Sequence, residues 1–273
     1  MDYTRELCLL VLSCDAYRDL WDDFFNLRDI YWNDCPYKWY LVTESEDYIR
    51  EGVEVIQCGK ELNWIGRFRE AVTRIDAKYF GIYLEDYFIS SPVNNSVINE
   101  LLHVMENNNV SMINVGAVFN VLINMRDKQY FQKHLFHIPN HMKYGISASS
   151  AIWNKEFLLE KLGNIDGSAW QFEINMCHEA LTDRGYGGVL LCDDRKPFNV
   201  SVHPVVIQGQ IYPKARKYFK RVGYEFITQR PNMALKQVMI YNLKCGVAGI
   251  KVGRRFLKWV GEKVFKLKFF TEG

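Results

Sequence analysis

The chain has 273 residues, 48 % of them apolar, enough for one large domain or one domain with a small appendage. Lys and Arg number 34 against 32 Asp and Glu, and a formal charge of +2 speaks against a protein built mainly to hold nucleic acid. Seven cysteines, an odd number with no Cys-x-x-Cys pair, speak against a disulfide framework or a zinc site and for a reduced, cytoplasmic chain.

Leu7–Ser13 is a short, continuous apolar run, the pattern of a strand covered on both faces. Residues 15–27 follow as a helix, with Leu20, Phe24 and Leu27 at helical spacing. Residues 39–43 and 53–57 read as the second and third strands. Residues 64–75 form a helix whose polar face carries Arg67, Glu70 and Arg74, and residues 79–84 a fourth strand. This order predicts an α/β fold, a mostly parallel central sheet flanked by helices. Residues 95–106 continue as a helix, 107–109 as a turn or cap, and 110–115 as a strand. Residues 117–125 fit helix or strand. Strand and loop are expected over 143–150, helix over 154–162, a further helix over 173–182 starting after Trp170-Gln-Phe, and strand over 188–192.

The first domain, 1–230, ends where Gln229-Arg230-Pro231 interrupts the pattern. Residues 231–273 form a C-terminal helical, basic extension that begins with a helix over 233–241. From Lys244 onward come Lys251, Arg254, Arg255, Lys258, Lys263, Lys266 and Lys268, opposed before the last three residues only by Glu262. Val252, Phe256, Trp259, Val260, Val264 and Leu267 fall near one helical face. Residues 246–270 therefore suit either an anionic membrane surface or docking on the body with a solvated basic face. Met1–Glu6 has acids where a basic leader belongs, and no run reaches the roughly 18 apolar residues of a membrane span. The expected location is cytoplasmic, peripheral on the inner face of the cell membrane.

The chemistry-bearing residues begin with Glu85 and Asp86, two carboxylates at the end of the apolar run Tyr79-Phe-Gly-Ile-Tyr-Leu84. Strand ends of this kind present polar sites in α/β proteins. With phosphate oxygens, such acids make a magnesium or manganese site; alone, they accept hydrogen bonds from sugar hydroxyls; or they are an exposed acidic strand end. Glu173 is crowded by aromatic residues in Ser168-Ala-Trp-Gln-Phe-Glu173. It is a candidate base with a raised pKa, or an early helical acid favoured by the dipole. His134, His137 and His141 have helical spacing for a metal, but Pro139 interrupts them and no Glu or Cys completes the set. His203, before Pro204, is a loop residue free to be a ligand or a surface group. No dinucleotide fingerprint, P-loop or Gly-x-Ser-x-Gly elbow is present.

Taken together, Leu10-Val-Leu-Ser-Cys-Asp-Ala-Tyr17, Trp64-Ile-Gly-Arg-Phe-Arg-Glu-Ala71, Tyr83-Leu-Glu-Asp-Tyr-Phe88, Ser147-Ala-Ser-Ser-Ala-Ile-Trp153, Ala169-Trp-Gln-Phe-Glu173 and Gly209-Gln-Ile-Tyr212 resemble nucleotide-sugar glycosyltransferases of the GT-A type. Such proteins serve bacterial capsule, lipopolysaccharide or surface-polysaccharide synthesis. The resemblance spans about residues 7–215. It implies a GT-A, Rossmann-like fold and an inverting transfer of sugar from a nucleoside-diphosphate donor to a glycan or lipid-linked acceptor. Ser13, Asp15 and Tyr17 would lie near base or ribose, and Arg67 and Arg69 near the diphosphate. Glu85 and Asp86 would anchor the donor, and Glu173 would be the catalytic base. A Mn2+ or Mg2+ ion would be held by Asp86 and His203, with His203 near the diphosphate. Tyr87 stands where the usual Asp-x-Asp has its second acid, which leaves metal-independent transfer open. The alternatives are a nucleotidyltransferase of sugar-nucleotide metabolism, which would need a basic triphosphate loop after Ser13, and a non-catalytic binding protein with a degenerate site.

Overall fold

The structure is a computed structural model that describes residues 3–116, 127–148, 150–201, 203–249, 259, 262 and 263. Four strands, β1 (Leu7–Leu12), β2 (Lys38–Thr43), β3 (Val53–Gln57) and β4 (Tyr79–Leu84), pair in parallel in the order β3-β2-β1-β4. The sheet continues through β8 (Ala151–Asn154), β5 (Met112–Asn114), β9 (Leu190–Asp193), β7 (Leu135–His137) and β6 (Tyr130–Gln132). Only β8 and β7 run against the rest. The result is a nine-stranded, mostly parallel mixed sheet flanked by helices, a Rossmann and GT-A-like architecture.

β1 shows why the run at the start of the chain is apolar throughout. Its side chains alternate between faces, as a pleated strand requires. Leu7, Leu9 and Val11 enter one core, and Cys8, Leu10 and Leu12 the other. The first core is closed by α1 (Trp21–Tyr31), α3 (Asn95–Asn107) and α6 (Pro213–Arg221), through Phe24, Leu101 and Phe219 among others. The second is closed by α2 (Trp64–Arg74), α4 (Lys155–Leu162) and α5 (Ala169–Glu179), through Phe68, Leu158 and Phe172. A two-stranded ribbon, β10 (Val206–Ile207) and β11 (Gln210–Ile211), precedes α6, and α7 (Leu235–Gly249) follows it. No helix among the described residues is long and apolar enough to cross a membrane.

Several elements differ from the sequence expectations. Residues 15–20 form a separate 3-10 turn before α1, because Asp15 turns its carboxylate to the loop after β2 and no side chain caps the turn. Residues 143–148 make turns rather than strand. Tyr144 adopts a φ of 59°, which breaks an extended chain, and Gly145 N–H closes a turn onto the Met142 carbonyl. The strand starts at Ala151. α5 begins at Ala169, capped by the Ser168 hydroxyl, so Glu173 sits in its second turn. His134 and His137 lie in the β6–β7 hairpin, not on a helix. Residues 117–125, and most of the basic segment 246–270, lie outside the described residues.

Candidate active site

β4 ends at Leu84, and the Tyr87 N–H donates to the Leu84 carbonyl at 3.0 Å, closing a tight turn. The turn sends the two acids to different surroundings. Glu85 feels the charges of Arg230 and Arg67, next to Cys14 and Tyr17 in the segment after β1. Asp86 lines a cavity of about 630 Å³ at the C-terminal end of the parallel strands. Burial raises the Glu85 carboxyl above its ordinary range and the Asp86 charge adds to this, while Arg230 and Arg67 oppose it. Burial likewise raises Asp86.

Backbone pairing brings His203 to the same cavity. Val205 N–H donates to the Asp86 carbonyl at 2.7 Å and Ser201 N–H to the Phe88 carbonyl at 2.8 Å, so Ser201 and Val205 lie beside Phe88 and Asp86. The His203 ring meets Tyr212 edge-on at 5.6 Å. Burial, and then the Lys214 charge, lower its pKa. Glu173 lines the same cavity, is 7 % exposed, and its Oε1 accepts the Ala148 N–H at 2.9 Å. Burial raises its carboxyl against that hydrogen bond. Tyr87 lines the cavity too: burial raises its phenol, and the charges of Asp86, Tyr241 and Glu173 add to the shift. At the rim, Trp170 is 76 % exposed, one helical turn before Glu173 and on the same face of α5.

The structure thus brings Tyr17, Asp86, Glu173 and His203 to one cavity, with Glu85 beside it. The other predicted residues have internal partners. Ser13 Oγ accepts from Trp21 Nε1 at 2.8 Å. The Asp15 carboxylate accepts the N–H groups of Glu44, Ser45 and Glu46 and the Ser45 hydroxyl. Burial pushes Asp15 up, but the Ser45 hydroxyl and these N–H groups prevail and hold it at about 2. Buried Arg67 donates to Glu44 at 3.0 Å and to the Leu62 carbonyl at 2.8 Å. Arg69 donates to the Gly163 and Ile165 carbonyls at 2.7 and 3.0 Å and clamps the connection that leads into α5.

No family model matches the chain, and no curated protein does. Solved structures of similar outline include the bifunctional IspDF from Campylobacter jejuni, at 14 % identity over 70 % of this chain and 51 % of that one, with a TM-score of 0.39. Residues 1–349 of TarS from S. aureus, in complex with UDP, are 9 % identical over 69 % of this chain and 58 % of that one, TM-score 0.45. A UDP-glucose pyrophosphorylase complexed with UDP-glucose is 10 % identical over 69 % and 89 %, TM-score 0.42. This chain spans just over half the length of the first two.

Three residues at the site escape sequence reasoning. Arg230 grips Asp19 through Nε at 2.8 Å and Nη2 at 2.7 Å, and its guanidinium lies 4.5 Å from the centre of the Tyr17 ring. Its one sequence signal, a cation before Pro231, reads as a domain end. Trp170 and Tyr241 line the cavity from α5 and α7. Tyr241 comes from residues 231–273, whose first part joins the body. Met233 is buried, and its N–H donates to the Ile211 carbonyl at 2.9 Å.

Proposed function

We propose that this cavity takes a nucleoside-diphosphate sugar and that the chain transfers the sugar to an acceptor hydroxyl on a glycan or lipid-linked glycan. One observation carries the reading: Asp86 and Glu173, both raised by burial, face one cavity at the end of the parallel strands. Glu173 takes the proton of the acceptor hydroxyl, and the oxygen forms a bond to the anomeric carbon. The bond from that carbon to the phosphate oxygen breaks, and the nucleoside diphosphate leaves from the opposite face, so the transfer inverts. A raised carboxyl is a more capable base near neutral pH.

Among the described residues no three His, Cys, Asp or Glu side chains form a metal-holding group. Asp86 fits a magnesium or manganese ion only as part of a set completed by diphosphate oxygens and water. When bound, such an ion would offset charge on the leaving diphosphate.

A second reading, nucleotidyl transfer, is favoured by Arg67 and Arg230, whose charges both reach Glu85 beside the segment after β1. Calorimetry with UDP-glucose, UDP-N-acetylglucosamine and UTP, with and without manganese, separates the two. Binding of a sugar nucleotide with slow hydrolysis to UDP supports sugar transfer. Preference for UTP, with pyrophosphate released on adding a sugar 1-phosphate, supports the second reading. Failure to bind any of these or the corresponding guanine, thymine and cytosine nucleotides overturns both.

A further inference from the structure

α7 touches the body along one side. Val238 and Tyr241 pack against the first core, and the Tyr212 hydroxyl donates to Asn242 Oδ1 at 3.0 Å. On consecutive turns of the other side stand Leu235, Met239 and Leu243, which are 80 %, 72 % and 67 % exposed. Their spacing of four residues makes one stripe. Three large apolar side chains kept in water by a helix already anchored to the core need a partner.

Charge identifies it. Residues 213–273 carry 15 Lys and Arg against three acids, whereas residues 1–212 carry 19 against 29. The sequence of α7 itself has Lys236 and Lys244 and no acid. On α6, Lys214 and Lys217 are exposed. A second copy seated on the stripe would set one cationic region against another, and residues 250–273 share the same sign. An anionic lipid surface accepts the apolar stripe and neutralises the surrounding cations together. We propose that α7 docks the protein on an anionic membrane through Leu235, Met239 and Leu243, upstream of the segment to which the sequence pattern points. Since Tyr241 lines the cavity from the same helix, docking sets that cavity beside the lipid. The proposal is independent of the donor reading.

The test is flotation of the full chain with vesicles of phosphatidylcholine alone and of phosphatidylcholine with phosphatidylglycerol. Wild type is expected to float with the anionic vesicles and to be released by salt. The triple substitution Leu235→Ser, Met239→Ser, Leu243→Ser is expected to lower the apparent affinity at least roughly tenfold. Circular dichroism and thermal unfolding show whether that variant folds, and Met239→Gln alone serves if it does not, with a smaller loss expected. Wild type that ignores anionic vesicles overturns the proposal, as does a folded variant that floats as well as wild type. A wild-type dimer in light scattering that the substitution turns into a monomer, without vesicle binding, assigns the stripe to a second copy and also overturns it.

Discussion

The backbone N–H of Ala148 donates to Oε1 of Glu173 at 2.9 Å, which fixes the direction of the carboxylate from a segment outside its own helix. A glutamine keeps a carbonyl oxygen for that N–H but has no basic oxygen. Glu173→Gln is therefore expected to fold and bind a sugar nucleotide as wild type does, while its turnover falls by about 10²–10⁴-fold. Steady-state transfer or donor hydrolysis, paired with calorimetry, checks this. Near-normal turnover would remove Glu173 from the role of base.

The same residue sets a pH dependence. A base works ionised, and burial lifts Glu173 above the ordinary carboxylate range. The rate should rise with pH through a limb that lies above 4.5, the ordinary value for glutamate. Glu85 and Asp86 are raised as well, so the profile is also measured on Asp86→Asn. A limb retained in Asp86→Asn and shifted in Glu173→Asp belongs to Glu173.

Asp15 illustrates what a sequence shows and what it hides. The parallel strands were legible, since an apolar run buried on both faces needs no distant information. The acids after β4 and the acid on α5 were legible as residue types at those places, while their roles were not. The partners of Asp15 were not, because Ser45 lies 30 residues away across a strand pairing. Arg69 likewise meets carbonyls more than 90 residues on. The β6–β7 hairpin was hidden by its short strands, each three residues long. Trp170 could have been found by counting three residues back from Glu173 once the helix start at Ala169 was known.

Asp15→Ala should cost about 1–2 kcal/mol, the low end for hydrogen bonds to a partly exposed charge. The folded carboxyl titrates near 2, below its unfolded value of 3.8. Its stabilisation is thus complete above about pH 4 and is lost as the pH falls through 2. Urea midpoints of wild type and variant should converge over that range. A constant difference down to pH 2 would contradict the assignment.

Gly81 tests the packing of the sheet beneath the site. A Cβ there would lie 2.5 Å from Leu9 Cδ2 and 2.8 Å from Phe198 Cζ. Leu9 is its register partner on β1, and Phe198 stacks on Tyr83 at 4.7 Å with the rings 7° from parallel. Gly81→Ala is expected to destabilise by about 1–3 kcal/mol, as overpacking does. Leu9→Val should recover part of that loss in the double variant, a coupling that a thermal-unfolding cycle would read. Simple additivity would mean that the clash is relieved elsewhere.

Asp23 and Arg230 should separate stability from binding. Asp23 is fully buried on α1, and its carboxylate accepts the N–H groups of Ile227 and Thr228 at 2.7 and 2.9 Å and the Tyr224 hydroxyl at 2.8 Å. These bonds tie residues 224–228 to α1 and so set where Arg230 lies over Tyr17. Asp23→Ala leaves the buried Thr228 N–H without its acceptor and should cost about 2–4 kcal/mol. Arg230→Ala removes a pair with the half-exposed Asp19, worth about 0–1 kcal/mol, so the fold should hold. If Arg230 meets the diphosphate, its loss should weaken UDP binding roughly tenfold, from a charge-assisted hydrogen bond of about 1.5 kcal/mol. Urea denaturation and UDP calorimetry on both variants give the comparison. Arg230→Ala with unchanged UDP affinity would confine this arginine to holding Asp19.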